Sequence, residues 1–169
     1  MKKNLSVIAL AAALASCDAG NGKNDIIGFQ LGMKKDAVHA LADSNHWTCD
    51  NNSKTGETCY TMSGQMRVAY ASHLEGSPVA HLEFDFHPGQ QEQAVIQNQI
   101  KSISDQYGKK PDRITRMQGD FDFIIEAVWN LDNGNVLVLG NMGILEMINK
   151  AIWAEDEKAS AQSTPTPKF

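Results

Sequence analysis

The chain has 169 residues, a formal net charge of -5 and a hydrophobic share of 42%, so it is long enough for one domain with a real core and too short for two comfortable ones. The acidic balance, with a sequence pI near 5.5 and no long basic block, argues against a nucleic-acid partner. Charge on this scale speaks to solubility more than to a partner.

At the start, Lys2 and Lys3 precede an uncharged run from Leu5 to Leu14, then Ala15, Ser16 and Cys17. This is the three-part layout of an export signal, and its apolar run is shorter than the roughly 20 residues a membrane span needs. Leu14-Ala15-Ser16-Cys17 resembles the lipobox of bacterial lipoproteins. The resemblance implies removal of residues 1–16, a diacylglycerol (with palmitate among its acyl chains) on the Cys17 sulfur, and anchorage in a bilayer through those chains. Two or three acyl chains anchor stably where one does not. The expected location is therefore the bacterial cell envelope, lipid-anchored and facing the periplasm. Asp18, at the second mature position, is similar to the enterobacterial signal for retention in the inner membrane. Residues 17–24, small, polar and Gly-bearing, read as the lipidated cysteine and a flexible spacer.

The folded unit is expected over 25–155, with 156–169 as a disordered tail, because Ala159 to Phe169 holds hardly any apolar bulk. A helix is expected over Met33–Asp43, entered through Gly32, with Val38, Leu41 and Ala42 at helical spacing. Short strands are expected at Trp47–Cys49, Cys59–Met62 and Met66–His73. Cys49 and Cys59, the two cysteines left after Cys17, flank a short polar loop; in an oxidising compartment they read as a disulfide. Closing that loop stabilises the fold by roughly 2.5 to 3 kcal/mol in the chain-entropy account.

Val79–Phe86 is the clearest strand: Ala80, Leu82, Phe84 and Phe86 share one face, and His81, Glu83 and Asp85 occupy a wet one. Pro88-Gly89 ends it. Gln90–Tyr107 then turns helical, with Ile96, Ile100, Ile103 and Tyr107 on one face and Gly108 and Pro111 as the stop. From Ile114 the period returns to two. Phe121, Phe123, Ile125, Ala127 and Trp129 alternate, Asn133-Gly134 marks a tight turn, and Val136–Leu139 supplies the partner strand. Ile144–Trp153 reads as a strand passing into a short helix. No repeat of 20 to 50 residues is visible. The order predicts an α+β domain, an antiparallel sheet with two helices packed on one face.

Gly28-Phe29-Gln30-Leu31-Gly32-Met33-Lys34-Lys35-Asp36-Ala37-Val38 resembles the G-x-x-x-G-M-x-x-x-x-V opening of the BamE-like (SmpA/OmlA) envelope domains, a group sharing an α+β shape with the β-lactamase inhibitor protein. Tyr107-Gly108-Lys109-Lys110-Pro111 and Val128-Trp129 are similar to features of the same group, so the likeness runs over roughly residues 26–145. The chain departs from BamE itself at Leu41-Ala42-Asp43-Ser44, where BamE has Leu-Gly-x-Pro, and in its long second helix. The resemblance therefore implies a shared fold, without BamE's assembly role or partner-binding residues.

His81, Glu83, Asp85 and His87 stand at period two on one strand, with His73 on a possible neighbour. Imidazoles and carboxylates on one sheet face are able to hold zinc or copper, and alternation equally places them as solvated polar residues. No G-x-S-x-G, phosphate-cradling or H-E-x-x-H motif is present, so no catalytic residues and no cofactor beyond the lipid on Cys17 are expected. Met62, Met66, Met117, Met142 and Met147 suit core gaps or a soft binding surface; Trp47 and Trp129 suit interface anchors or, with aromatics so few, the interior. The functional expectation is a non-enzymatic, lipid-tethered periplasmic module that binds another envelope protein through a sheet face or the cysteine loop, possible accessory work in an assembly complex included. The alternative is a small-ligand or metal-binding envelope lipoprotein.

Overall fold

The structure, a computed structural model, describes residues 25–50, 53–86, 92–117, 123–132 and 134–163. The expected signal, Cys17, the spacer and His87 lie outside them.

A two-stranded hairpin opens the described chain, β1 (Asp25–Ile26) and β2 (Phe29–Gln30). Helix α1 (Lys35–Ser44) follows a turn at Gly32, whose φ of +82° is the left-handed conformation that glycine adopts without strain. Its inner face carries Val38 and Ala42, with Leu41 packed beside them. Then come β3 (Thr48–Asp50), β4 (Gly56–Thr61), β5 (Gly64–Tyr70) and β6 (Val79–Asp85). Gly64 is required for a second reason: a Cβ there would meet the Asp85 carbonyl oxygen at 2.1 Å.

Helix α2 (Gln93–Tyr107) buries Ile96, Ile103 and Tyr107, the stripe that the spacing predicts, and ends at Gly108 with φ +67°. The second group of strands is β7 (Arg113–Met117), β8 (Phe123–Asn130), β9 (Asn135–Gly140) and β10 (Ile144–Asn149). Helix α3 (Lys150–Ser163) closes the described chain.

All eight strands from β3 to β10 form one antiparallel sheet in the order β3-β4-β5-β6-β10-β9-β8-β7. The architecture is thus a helix followed by a four-stranded meander, twice over. The last strands of the two halves pair at the centre, with Leu82 opposite Met147 and Phe84 opposite Leu145. The first strand of each half, β3 or β7, forms an edge. One core cluster gathers Val38 of α1, Ile103 and Tyr107 of α2, Ile26 and Phe29 of the hairpin, and the inward residues Met66, Val68, Leu82, Phe84, Leu137, Leu139, Leu145 and Met147.

Several expectations need correction. The short helix expected at the end of Ile144–Trp153 is a longer one, the third among the described residues beside the two expected to pack on the sheet. The chain after residue 155, read as disordered for want of apolar bulk, is helical through Ser163. Polar contacts order it: Asn149 Oδ1 accepts the Ala151 and Ile152 amides at 3.0 Å each, which caps the helix. The buried Asp156 accepts the His73 backbone N–H at 2.7 Å. In β8 the alternation changes phase, because Thr115 faces Glu126 while Arg116 faces Ile124. This bulge leaves Ile125 over and turns Ile124, not Ile125, into the core.

The methionines divide. Met66 and Met147 are fully buried, whereas Met62, Met117 and Met142 are exposed. Trp129 is buried and donates its indole N–H to the Lys109 carbonyl at 3.1 Å. Trp47 is half-buried and stacks on Phe29 with ring centroids 5.5 Å apart.

Candidate functional site

Because side chains alternate across a strand, the buried residues of the central strands imply a second, outer face. Directly opposed residues share a face, so the register assembles it. His81 stands opposite Ile148, Glu83 opposite Glu146 and Asp85 opposite Ile144. Val136 lies opposite Ile148 and Val138 opposite Glu146, with Arg67 opposite Glu83 on the other flank. Val136, Val138, Ile144 and Ile148 are half-buried, while the core side of the same strands is almost wholly sealed. The outer face therefore stays half open, an aliphatic strip set among charges.

The electrostatics of this strip are acidic and partly compensated. Glu83 and Glu146 are like charges across a strand pair, an arrangement that costs stability unless counter-charges intervene. Arg67 pairs with Glu83. His81 Nε2 lies 3.3 Å from Glu146 Oε2, without the alignment of a hydrogen bond, and among the described residues neither that buried nitrogen nor Asp85 Oδ1 has a hydrogen-bond partner. Farther along, Arg113 meets Glu126 at 2.7 Å. A concavity of about 400 Å³ crosses this face at β4 to β6, lined by Thr58, Arg67, Ala69, His81 and Glu83 among others.

Of the candidate metal ligands, His87 lies outside the described residues. Among the described residues no group of three His, Cys, Asp or Glu side chains is arranged to hold a metal ion. Period-two spacing did place His81, Glu83 and Asp85 on one face, but Glu83 is engaged by Arg67 and His81 faces Glu146. His73 is drawn away to the end of the sheet, where its ring Nδ1 lies 3.2 Å from Asp156 Oδ2. Cys49 and Cys59 are joined in a disulfide between directly opposed residues of β3 and β4.

The structure also assembles a polar cluster that spacing did not reveal. Glu57 has a fully buried side chain. The Tyr70 hydroxyl donates to its Oε1, and His39 Nε2 lies 2.8 Å from its Oε2. Lys35, one turn before His39 on α1, sets its ammonium 5.3 Å from the centre of the Tyr70 ring. Burial, then the hydrogen bond and charge of Glu57, pushes the Tyr70 hydroxyl well above the ordinary tyrosine value. A signal for Glu57 exists in the sequence: it stands two residues before Cys59 and so shares the inward face of β4. Nothing local names its partners, which come from α1 and β5. With both Glu57 carboxylate oxygens engaged, the cluster fastens α1 to the sheet.

Comparison with known proteins finds no family model, no curated protein and no solved structure that matches this chain.

Proposed function

We propose that the chain is a lipid-anchored module of the bacterial cell envelope, facing the periplasm, that binds another envelope protein through the half-open sheet face and carries out no chemistry of its own. The observation that supports it most is the strip of Val136, Val138, Ile144 and Ile148, half exposed side by side at the centre of an eight-stranded sheet. Aliphatic residues grouped on a surface and rimmed by charge are typical of a protein contact. The reading as a BamE-like domain rests on the α+β order, on the Gly32 entrance to α1, and on Val38, Ile103 and Tyr107 meeting in one core cluster. The anchor rests on Leu14-Ala15-Ser16-Cys17 and, beside it, on the Cys49–Cys59 disulfide, which fits an oxidising compartment.

Photo-cross-linking residues placed at Val138 and at Ile148 in source cells test the face. The expected result is one discrete adduct from both positions, lost when Val136 is replaced by Lys in the same chain. Folded protein that yields no adduct from either position overturns the reading. For the anchor, labelled palmitate is expected on the wild-type chain and absent from Cys17→Ala; an unlabelled wild-type chain overturns that half.

A further inference from the structure

We propose that one end of the eight-stranded sheet rests on a phospholipid bilayer, with Met62, Met142 and Ile27 dipping into its interfacial layer. The proposal rests on the lipid anchor at Cys17 and adds the orientation that the anchored domain takes.

The register brings the apolar tips to one end. Met62 stands in the β4–β5 turn, and just past that turn Gln65 is opposite Asp85, the last residue of β6. Asp85 is in turn opposite Ile144, the first residue of β10, directly after the turn that holds Met142. Met117 ends β7, opposite the first residue of β8. The three methionines therefore stand at the same end of the sheet. All are exposed, Met62 completely at 101%. The turns 62–63 and 141–143 hold no charged residue, whereas the connections at the opposite end carry Lys54, Glu75, Lys109, Lys110 and Asp132. The connection 118–122, with Asp120 and Asp122 beside Phe121, lies outside the described residues.

Ile27 joins them from the tip of the β1–β2 hairpin, where it borders one hollow with Phe86 and Leu145, near the same ends of β6 and β10. Its φ of +48° is the left-handed conformation, which strains a β-branched residue and persists mainly where the strain serves a function. Its side chain is nevertheless exposed. An apolar phase covering it offsets that strain.

The length of chain before the hairpin says what covers this end. Asp25, where the described chain begins, stands eight residues after Cys17, so a lipid there holds the hairpin within about 29 Å of the bilayer even at full extension. A seven-residue strand such as β6 is itself about 24 Å long, so the tether keeps the domain against the surface. Tethering raises the effective concentration of lipid at the rim, and contacts too weak to bind alone then suffice. Single apolar side chains on separate turns suit an interfacial layer, where affinity grows with the apolar area immersed. A protein contact needs instead a continuous patch of about 800 Å² a side. Methionine, unbranched and flexible, adapts to such a layer. With this end down the strands stand upright, and the half-open face turns sideways toward a second envelope protein.

Benzoylphenylalanine placed singly at Met62, Met142 and Ile114 of the lipid-bearing protein, in vesicles of phosphatidylethanolamine and phosphatidylglycerol, tests the orientation. Ile114 is an exposed apolar position at the other end of the sheet, beside Lys109 and Lys110, and the anionic lipid gives that end its best chance. Phospholipid adducts from Met62 and Met142 are expected to be about tenfold stronger than from Ile114. Asparagine tolerates the left-handed conformation, so Ile27→Asn is expected to keep or raise the urea midpoint while the Met142 adduct falls at least about twofold. A chain that floats with the vesicles through its labelled lipid yet gives no adducts from Met62 and Met142 overturns the orientation and leaves the anchor standing. A chain that carries no lipid and does not float overturns both. The orientation is equally overturned by a stronger adduct from Ile114, by an unchanged Met142 adduct in Ile27→Asn, by adducts to a second copy of the chain, or by a discrete protein adduct from Met62 and Met142 in source cells in place of the phospholipid one.

Discussion

His39 of α1 and Glu57 of β4 are joined at 2.8 Å between Nε2 and Oε2, and the carboxylate they share is sealed from water. Tyr70 takes the other oxygen from the next strand. Three elements of the first half are thus fastened at one buried charge. Such a charge is tolerable only while its partners remain, since removing a partner leaves the other groups unpaired in a poor solvent.

Glu57→Ala is therefore expected to lower unfolding stability by about 3 kcal/mol, because the Tyr70 hydroxyl loses its acceptor along with the carboxylate. His39→Ala should cost less, about 1 kcal/mol, since its side chain is one-third exposed and water replaces part of the interaction. Urea denaturation of the two variants checks the ranking. Equal losses would mean that the cluster does not act through burial.

Alkaline pH should weaken the fold. Burial first, then Glu57, raises the Tyr70 hydroxyl; burial first, then the Asp25 charge, raises that of Tyr107. Each keeps its proton in the folded state at a pH where the unfolded chain releases it, about pH 10. Their contribution is complete below that pH and is lost progressively as pH rises toward the folded values. Urea midpoints are expected to hold level near pH 8 to 9 and to fall above about pH 10, with a shallower fall in Tyr107→Phe. A midpoint indifferent to pH in that window contradicts the assignment.

Reducing the Cys49–Cys59 bond frees a loop of sequence separation 10 at the sheet edge. The chain-entropy account sets the loss at roughly 2.5 to 3 kcal/mol. The paired Cys49→Ala and Cys59→Ala variant, compared with wild type with and without reductant, should show that loss. Its midpoint should also be insensitive to reductant.

Asp156 ties α3 to the loop before β6 by accepting both the His73 amide and its ring nitrogen. Asp156→Ala is expected to raise hydrogen exchange throughout α3 and at the His73 amide, at a cost of about 1 to 2 kcal/mol. Asp156→Asn keeps an acceptor for the amide and should show less than half the effect. Unchanged exchange in Asp156→Ala would place the order of α3 in its own propensity.

The helix stripes of α1 and α2, the alternation of β6 and the facing cysteines were legible because each is a local pattern of period 3.6 or 2, set by where successive side chains point. The phase change in β8 was not, since a bulge is an insertion relative to a partner strand. Nor was the order of α3: its composition is weakly apolar, and it is held by Asn149 at its start and by a histidine 83 residues away from Asp156.

By itself the sequence determined the type of nearly every element and the inward face of most of them, because periodicity is written residue by residue. Only the tertiary structure decided that β6 pairs with β10, which joins two helix-and-meander halves into one sheet and leaves its outer face half open. It likewise decided that Glu57, Tyr70 and His39 meet. These are relations between distant segments, chosen by the packing of the whole core and carried by no local period.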